Sequence, residues 1–391
     1  MPALEHVRPA EGDLVAVTLP PSSAWLDLLT ETWDAGAALL PIDDRLPPPE
    51  RAALIEGARP TVTLDETGGR RVDGEPVEPG VVLLVHSSGT RGAPALAQFD
   101  RQAIEAAVSS SSLALGATGR DRWLSCLPLA HVGGLLVLLR ALLLGAPVAV
   151  HERFDPRAAL AEPGVAFTSV VPTMLARLIE TGSDLSSFRS ILVGGAHLPT
   201  DLRSRAERVG AVVVETYGMT ETCGGVVYDG APLGGTEVRI GPGSEIQLRG
   251  PTLMQGYRLG GAGPLTPDGW LRTADAGELD VDGRLHVAGR TDDVVITGGE
   301  KVWPQAVEAT LQAHPRVREV AVAGVPDPEW GERLTVWVVP VDAAEPPTLE
   351  ELRAFVAGSL PTYASPRELV LVERLPRTAS GKVRRAELPR D

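Results

Sequence analysis

The sequence has 391 residues, of which 43% are hydrophobic, and a formal net charge of −15. This length predicts two or more domains with a sizeable core, and the negative charge argues against binding to nucleic acid or insertion into an anionic membrane. Cys126 and Cys223 are too few for a disulfide framework or a zinc cluster and favour a reducing cytoplasm. The charged N-terminal residues do not resemble a secretion signal, and Arg140 interrupts the most apolar run.

Short apolar runs alternate with helical stretches from about Leu14 to Ile240, which predicts a mostly parallel sheet covered by helices. Strands are expected at Val81–Val85, Pro147–His151, Ile191–Val193 and Ala211–Glu215. The loops "GGAHLP" and "TYGMTET" follow the last two of these strands. If those strands are parallel, both loops lie at the carboxyl edge of the sheet, where open α/β sheets bind ligands.

The pattern changes at about Gly225 to short alternating stretches around glycine turns, which predict a small antiparallel β subdomain. Asp282-Gly283 is a hairpin signal within it. After "GRTDD" the sequence predicts a compact α+β segment, with a helix that begins near Pro304 and a strand at Val317–Val322. We therefore predict an N-terminal domain over 1–291 and a C-terminal domain over 292–391.

Four motifs each allow a functional and a structural interpretation. The loop "HSSGTRGAP" either wraps a phosphate chain or is a solvated turn, and Glu221 in "TYGMTET" either holds Mg²⁺ or lies in an ordinary loop. Lys382 in "SGKVRR" is either a catalytic cation or part of a basic tail. His131 in "LPLAHVGGL" either acts on a substrate or begins a helix. No motif decides the matter alone.

Together, the order and spacing of the motifs resemble the adenylate-forming superfamily of acyl-CoA ligases, nonribosomal adenylation domains and luciferases. The resemblance extends roughly from Leu14 to Leu388 and includes "VGGAHLP", "YGMTET", the long "GWLRTADAGELDVDGRLHVAGRTDDVVITGGEKVWPQAVE" stretch and "PRTASGK". The short N-terminal part, "SVVPTMLARLIE" and "YGMTETCGGVVYDGAPLGG" are most similar to compact actinobacterial o-succinylbenzoate–CoA ligases.

This resemblance implies an AMP-forming acid–thiol ligase of menaquinone synthesis that uses ATP, Mg²⁺ and CoA in the cytoplasm. It would convert o-succinylbenzoate to its CoA thioester through an acyl-adenylate, and its fold would pair a large domain of parallel sheets with a small mobile C-terminal domain. Alternatives are a CoA ligase for another aryl or short-chain acid, a stand-alone enzyme that loads a carrier protein, and a nucleotide-binding relative without catalysis. The oligomeric state stays open.

The resemblance also assigns site residues. Catalytic roles fall to Lys382, His131 and Glu221, and Mg²⁺ to Glu221 with Thr220. The nucleotide would contact Ser87, Ser88, Gly89, Thr90, Gly92, Gly194, Gly195, Ala196, Tyr217, Gly218, Met219, Thr220, Asp275 and Arg290. Asp292 matches the hinge, and the CoA tunnel would include Gly298, Gly299, Lys301 and Trp303. Candidates for a second substrate carboxylate are His131, Arg140, Thr168 and Ser169.

The phosphate loop departs from the family pattern in two ways. Its Pro94 is followed by Ala95 where relatives have lysine, and Arg91 replaces a small hydroxyl residue. The loop therefore lacks one mobile charge for the β- and γ-phosphates, and the guanidinium of Arg91 is a stiffer and differently shaped substitute.

Overall fold

The computed structural model describes residues 7–87, 95–260, 263–377 and 383–389. The chain divides into two compact units, the first formed by 1–198, 202–238 and 248–271 and the second by 199–201, 239–247 and 272–391. A functional boundary at residue 292 stays a prediction. Within the described ranges, no helix is both long enough and apolar enough to cross a membrane.

The elements follow in chain order. The strands are β1 (Leu14–Thr18), β2 (Ala38–Pro41), β3 (Val62–Asp65), β4 (Gly68–Arg71), β5 (Val81–His86), β6 (Leu96–Asp100), β7 (Arg122–Ser125), β8 (Val148–Val150), β9 (Val165–Val170), β10 (Ser190–Val193), β11 (Val213–Met219), β12 (Gly224–Tyr228), β13 (Ala231–Pro232), β14 (Glu237–Ile240), β15 (Glu245–Arg249), β16 (Gly256–Tyr257), β17 (Leu271–Leu279), β18 (Leu285–Arg290), β19 (Val295–Thr297), β20 (Glu300–Val302), β21 (Val317–Asp327), β22 (Gly331–Pro340) and β23 (Glu368–Leu371). The helices are α1 (Trp25–Asp34), α2 (Pro48–Ala58), α3 (Arg101–Leu115), α4 (Val132–Leu144), α5 (Pro156–Ala161), α6 (Pro172–Glu180), α7 (Thr200–Arg208), α8 (Pro304–Gln312) and α9 (Leu349–Ala357).

The first sheet has the strand order β16-β6-β5-β2-β1-β3-β4. Its central strands β3, β1, β2 and β5 are parallel, whereas β4, β6 and β16 are antiparallel to their neighbours. Leu14, Leu40 and Leu84 are fully buried in the core on this sheet, because strands covered on both faces retain apolar residues throughout.

The second sheet has the order β13-β12-β11-β10-β9-β7-β8 and is parallel from β8 to β11. Its core contains Leu175, Ile191 and Val193, each 0% exposed. The predicted parallel arrangement is thus confirmed at the centre of both sheets. The apolar run over 133–150 forms α4, a left-handed C-cap at Gly145 and β8, and β8 confirms the strand predicted at Pro147–His151.

The strands β14, β15, β17 and β18 lie in that order in a third sheet, and β17 pairs antiparallel with β18 across the predicted Asp282-Gly283 turn. A further sheet has the order β20-β19-β22-β21, with β23 against β22. The helices α8 and α9 contribute Val307, Leu311 and Leu352 to its core. These elements confirm the predicted α+β segment.

Two local predictions are wrong. The change of pattern at Gly225 predicts that residues 225–232 and 256–257 belong to the small antiparallel subdomain. Instead β12 and β13 extend the second sheet, and residues 256–257 form β16 at the edge of the first sheet, opposite Ala97 and Gln98. The sequence also predicts that strand 211–215 ends before "TYGMTET", but β11 continues to Met219. The reason is the pairing with the next strand, because β12 provides antiparallel partners for residues 216–219.

Candidate active site

Three strand ends meet at the carboxyl edge of the second sheet. Val193 on β10 lies opposite Val170 on β9 and Glu215 on β11, and all three strands are parallel. The predicted nucleotide residues Gly194, Gly195 and Ala196 therefore lie beside the end of β11, with Tyr217, Gly218, Met219 and Thr220. The prediction that "GGAHLP" and "TYGMTET" share one edge is confirmed.

Gly218 is required by the close approach of β11 and β12. A Cβ atom at this position would clash with the carbonyl oxygen of Gly224 and with the backbone of Gly225. The register shifts between Tyr217 and Gly218, which marks a bulge in this antiparallel pair. The glycine of "TYGMTET" thus lets the strand bend directly before Glu221.

Glu221 is held in a single turn, Thr220–Thr222, at the end of β11. The Thr222 hydroxyl accepts a hydrogen bond from the Met219 amide (2.9 Å) and donates to the Gly224 carbonyl (2.6 Å). On the Glu221 side chain, Oε1 accepts a 2.7 Å hydrogen bond from the hydroxyl of Tyr257. The backbone carbonyl of Glu221 accepts a 2.9 Å bond from the Met254 amide.

Tyr257 is a site residue that the sequence does not reveal. It lies 36 residues from Glu221 in the two-residue strand β16, and neither its spacing nor its neighbours signals the contact. Burial and the hydrogen bond to Glu221 both raise the pKa of the Tyr257 hydroxyl. This hydroxyl is therefore a protonated donor at neutral pH.

The predicted phosphate loop leaves from the hairpin β5–β6. The Ser87 amide donates a 2.8 Å hydrogen bond to the Ala95 carbonyl and closes the base of the loop. Ser88, Gly89, Thr90 and Gly92 lie outside the described residues. On the far side of β6, Ala97 pairs with Tyr257, whose hydroxyl binds Glu221. Tyr257 therefore connects β6, which begins at the base of the loop, to Glu221, the candidate metal ligand.

His131 is the N-cap residue of α4, and its ring centroid lies 5.2 Å from that of His86, the last residue of β5. Burial lowers the pKa of His86, so this imidazole is predominantly neutral at pH 7. Asp43 lies in the same environment and is bound by Arg45 through hydrogen bonds of 2.6 and 2.8 Å. His131 thus lies beside the base of the predicted phosphate loop, and no sequence signal places Asp43 near it.

The candidates for a second substrate carboxylate have different surroundings. Ser169 and His131 are half-buried. Thr168 is 1% exposed, and its hydroxyl donates to the Leu124 carbonyl at 3.1 Å. Arg140 is also 1% exposed: it donates to the Ser111 hydroxyl at 2.5 Å, and its guanidinium lies 4.3 Å from the centre of the Trp123 ring.

Burial lowers the pKa of Arg140, because desolvation disfavours its charged form. Its position inside the core favours a structural role. The two cysteines are likewise buried in the core. Burial raises the pKa of Cys126 to about 11 and that of Cys223 to about 12.

In the second unit, Asp275 and Arg290 lie opposite each other on the hairpin β17–β18. Arg290 Nη1 donates to Asp275 Oδ1 at 3.0 Å and to the Thr273 carbonyl at 3.2 Å. The Asp275 side chain is 13% exposed and that of Arg290 is 45% exposed. The two predicted ribose contacts are thus neighbours, and an ionised carboxylate can accept from two hydroxyls at once.

Asp292 is exposed two residues after β18 ends. Gly298 and Gly299 form the turn between β19 and β20 with φ of +60° and +86°, values that L side chains rarely adopt. A Cβ atom at Gly298 would lie 3.0 Å from the ring of Trp330, whose carbonyl accepts from the Gly298 amide at 2.9 Å. Lys301 is exposed on β20, and Trp303 is the N-cap residue of α8. Lys382 lies outside the described residues.

Comparison with known proteins agrees with this geometry. The AMP-binding enzyme family matches residues 65–258, and the AMP-binding enzyme C-terminal domain matches residues 306–382. A probable 2-succinylbenzoate–CoA ligase of Mycobacterium tuberculosis is 40% identical over 374 residues, which cover 91% of this chain and 95% of that protein.

Two solved structures of the o-succinylbenzoate CoA synthetase of Bacillus subtilis are similar over nearly the whole chain. The complex with the acyl-adenylate intermediate has a TM-score of 0.88 at 29% identity and covers 98% of this chain and 89% of that one. The complex with ATP and a magnesium ion has a TM-score of 0.87 at 30% identity and covers 97% and 90%. With the strand-end loops, the Glu221 turn and the two matched domains all in place, the chain belongs to the family of AMP-binding enzymes.

Proposed function

We propose that this protein is an AMP-forming ligase that converts o-succinylbenzoate, ATP and CoA to o-succinylbenzoyl-CoA. The observation that carries the chemistry is the meeting of the "GGA" loop, the end of β11 and Glu221 at one sheet edge. The substrate is supported by relatives that match the chain over almost its full length and are named for this acid.

The reaction has two steps. In the first, a carboxylate oxygen attacks the α-phosphorus of ATP, and the bond to the bridging oxygen breaks, so that pyrophosphate leaves and an acyl-adenylate forms. In the second, the CoA thiolate attacks the acyl carbon and the carbon–oxygen bond to AMP breaks. The first step brings an anion to a polyanion, so oriented donors and positive charge are needed.

The hydroxyls and amides of the phosphate loop supply such donors. Ser87, Ser88, Gly89, Thr90 and Gly92 would hold the β- and γ-phosphates and release them as pyrophosphate. The closed base between Ser87 and Ala95 fixes where this loop begins and ends. Gly194, Gly195, Ala196 and Tyr217 would frame the adenine, and Asp275 with Arg290 would bind the ribose.

The donors near Glu221 fit a magnesium ion that is shared with phosphates. Across the described ranges, no group of three His, Cys, Asp or Glu residues could form an all-protein metal site. Tyr257 occupies Oε1 of Glu221, which leaves the other carboxylate oxygen for a cation. Mg²⁺ commonly takes one or two carboxylates together with substrate phosphates and waters. Bound there with Glu221 and Thr220, it would neutralise part of the phosphate charge.

The C-terminal residues would act in turn. Lys382 would bridge the attacking carboxylate and the α-phosphate during adenylation. Rotation at Asp292, the proposed boundary of a mobile domain over 292–391, would then withdraw it. The same rotation would bring Gly298, Gly299, Lys301 and Trp303 to the CoA tunnel. The tight glycine turn suits a close backbone approach to pantetheine.

The acyl pocket would lie near His131 and the end of β9. His131 would contact the reacting carboxylate beside the phosphate loop. Of the four candidates for the second carboxylate, we favour Ser169, because Arg140 and Thr168 are buried and already bonded to protein groups and His131 is assigned to the reacting carboxylate. A cytoplasmic location, which the two unpaired cysteines favour, is part of the same proposal.

A pyrophosphate-release assay with ATP, Mg²⁺ and a panel of acids tests the proposal. The panel contains o-succinylbenzoate, 3-benzoylpropionate (which lacks the ring carboxylate), benzoate and short-chain acids, each with and without CoA. We expect sustained turnover with o-succinylbenzoate only when CoA is present. Preference for another acid would overturn the substrate, thioester formation on a carrier protein but not on CoA would indicate a carrier-loading enzyme, and silence throughout would indicate a nucleotide-binding relative.

A further inference from the structure

The C-terminal segment that follows Lys382 is fastened to the edge strand β21. Arg385 Nη2 donates to both carboxylate oxygens of Glu308 on α8, each at 2.8 Å. Arg385 Nε also donates to the Val322 carbonyl at 3.1 Å, and the Val322 amide donates to Glu308 Oε1 at 2.8 Å. One ion pair thus satisfies both backbone groups of Val322 on the outer side of the sheet.

This arrangement is more than a surface ion pair. The side chains of Arg385 and Glu308 are only 25% and 20% exposed, and one guanidinium nitrogen donates to both carboxylate oxygens. Burial raises the pKa of Glu308, so the carboxylate depends on the guanidinium to remain ionised. Removal of either partner would leave the other as a desolvated, uncompensated charge and so lower the stability of the fold. Loss of a typical exposed ion pair changes the free energy of unfolding little.

The same guanidinium reaches a third element. Arg385 Nη1 lies 3.3 Å from Asp293 Oδ2, and Asp293 directly follows the predicted hinge residue Asp292. On the other side of Lys382, Arg377 forms a bridge with Val383 and an ion pair of 2.6 Å with Glu319 of β21. Both flanks of residues 378–382 are therefore anchored to one strand.

We propose that Asp293, Glu308 and Arg385 form a clamp that fastens residues 383–389, which directly follow Lys382 in the sequence, to the segment after the hinge. The clamp rests on the proposed function, in which Lys382 acts in adenylation and is withdrawn for thioester formation. Arg385 is then a positioning residue. Through this clamp, Asp293 and α8 hold the C-terminal segment that begins one residue after Lys382. Loss of the clamp would remove the support from which Lys382 is proposed to act in adenylation.

Arg385→Gln tests the clamp, with Arg384→Gln as the matched control. The control removes the same charge one residue away, from a more exposed pair with Glu387 (2.8 Å). The two half-reactions are measured separately, as ATP–pyrophosphate exchange and as CoA thioester formation from added acyl-adenylate. We expect Arg385→Gln to lower kcat of exchange ~30-fold or more with KM for ATP changed less than ~3-fold, because positioning acts on the transition state.

Thioester formation by Arg385→Gln should stay within ~3-fold of wild type, since Lys382 has no part in that step. Arg385→Lys, which keeps the charge but not the fork, should recover part of the exchange rate. Equal loss in both half-reactions, or exchange within ~3-fold of wild type in a folded variant, would overturn the clamp. If the wild-type chain adenylates no acid, the proposed function itself fails, and the clamp with it.

Discussion

The two compact units present their site residues in different ways. In the first, Gly194–Ala196 and the end of β11 are placed by parallel strands with a fixed register, and backbone groups and hydroxyls provide most of the predicted contacts. In the second, the pairs Asp275–Arg290 and Glu308–Arg385 provide charged side chains on hairpins and on a helix. We propose that the backbone edge of the first unit binds the adenine, whereas in the second unit Asp275 with Arg290 would bind the ribose and Arg385 would position the C-terminal segment.

This difference means that substitutions in the two units should fail differently. A side chain added at Gly218 would force β12 away and disturb the fold locally, because backbone packing allows no room for it. A charge removed from the second unit should leave the nucleotide edge of the first intact and slow one half-reaction. Three substitutions, in order of expected effect, test this comparison.

The largest effect is expected at Lys382. Lys382→Ala should lower kcat of ATP–pyrophosphate exchange by ~10³-fold, since an ammonium group that binds mainly the transition state contributes to kcat rather than to KM. The sequence contains only one other lysine, Lys301, which is exposed on β20. Lys301→Ala is therefore a natural control, and it should retain exchange while slowing thioester formation. Exchange near the wild-type rate in Lys382→Ala would contradict the proposed role.

Much of the fold can be predicted from the sequence, because its signals are local. Apolar runs bounded by glycine predict β5, β8 and β10 to within two residues, and Asp100 caps α3 through its hydrogen bond to the Ala103 amide. The strands β12 and β16 are different. Both depend on strand pairing: β12 follows β11 after a short turn and extends it, so β11 was predicted too short, and β16 pairs with the distant strand β6, so it was assigned to the wrong sheet.

The site divides in the same way. The glycine loops and Glu221 can be predicted, because each belongs to a motif of consecutive residues. The partner Tyr257 and the buried pair of Glu308 with Arg385 arise from tertiary contacts between distant segments. At Arg140 the sequence misleads. An arginine in an apolar helix suggests a contact with the substrate, but its side chain contacts Ser111 and Trp123 inside the protein.

An intermediate effect is expected at the hinge. Asp292→Pro should slow thioester formation from added acyl-adenylate ~10-fold more than it slows adenylation, because proline fixes φ and restricts rotation. Asp292→Ala keeps the backbone free and serves as the control for loss of the carboxylate. Equal loss in both half-reactions by the proline variant would place the pivot elsewhere and leave 292–391 without the mobility we propose.

The smallest effect is expected at Tyr257, which binds Glu221, the carboxylate of the two candidate metal ligands. Tyr257→Phe removes the 2.7 Å hydrogen bond to Glu221 Oε1 and leaves the ring in place. The carboxylate then loses one of the contacts that orient it towards the cation, and metal affinity typically falls ~10-fold or more when such a partner is lost. We expect the Mg²⁺ concentration for half-maximal exchange to rise accordingly, with most of the rate restored at saturating Mg²⁺.

Binding of Mn²⁺ in the presence of ATP, followed by electron paramagnetic resonance, measures the same loss without turnover. Tyr363→Phe, at a side chain that is 39% exposed in the second unit, is the control and should bind Mn²⁺ as wild type does. If Tyr257→Phe binds Mn²⁺ normally but loses rate at every Mg²⁺ concentration, the hydroxyl does not orient Glu221 for the metal. The nucleotide contacts of the first unit would then come from backbone groups at the sheet edge alone. The first unit would differ from the second, with its charged side-chain pairs, even more than the structure indicates.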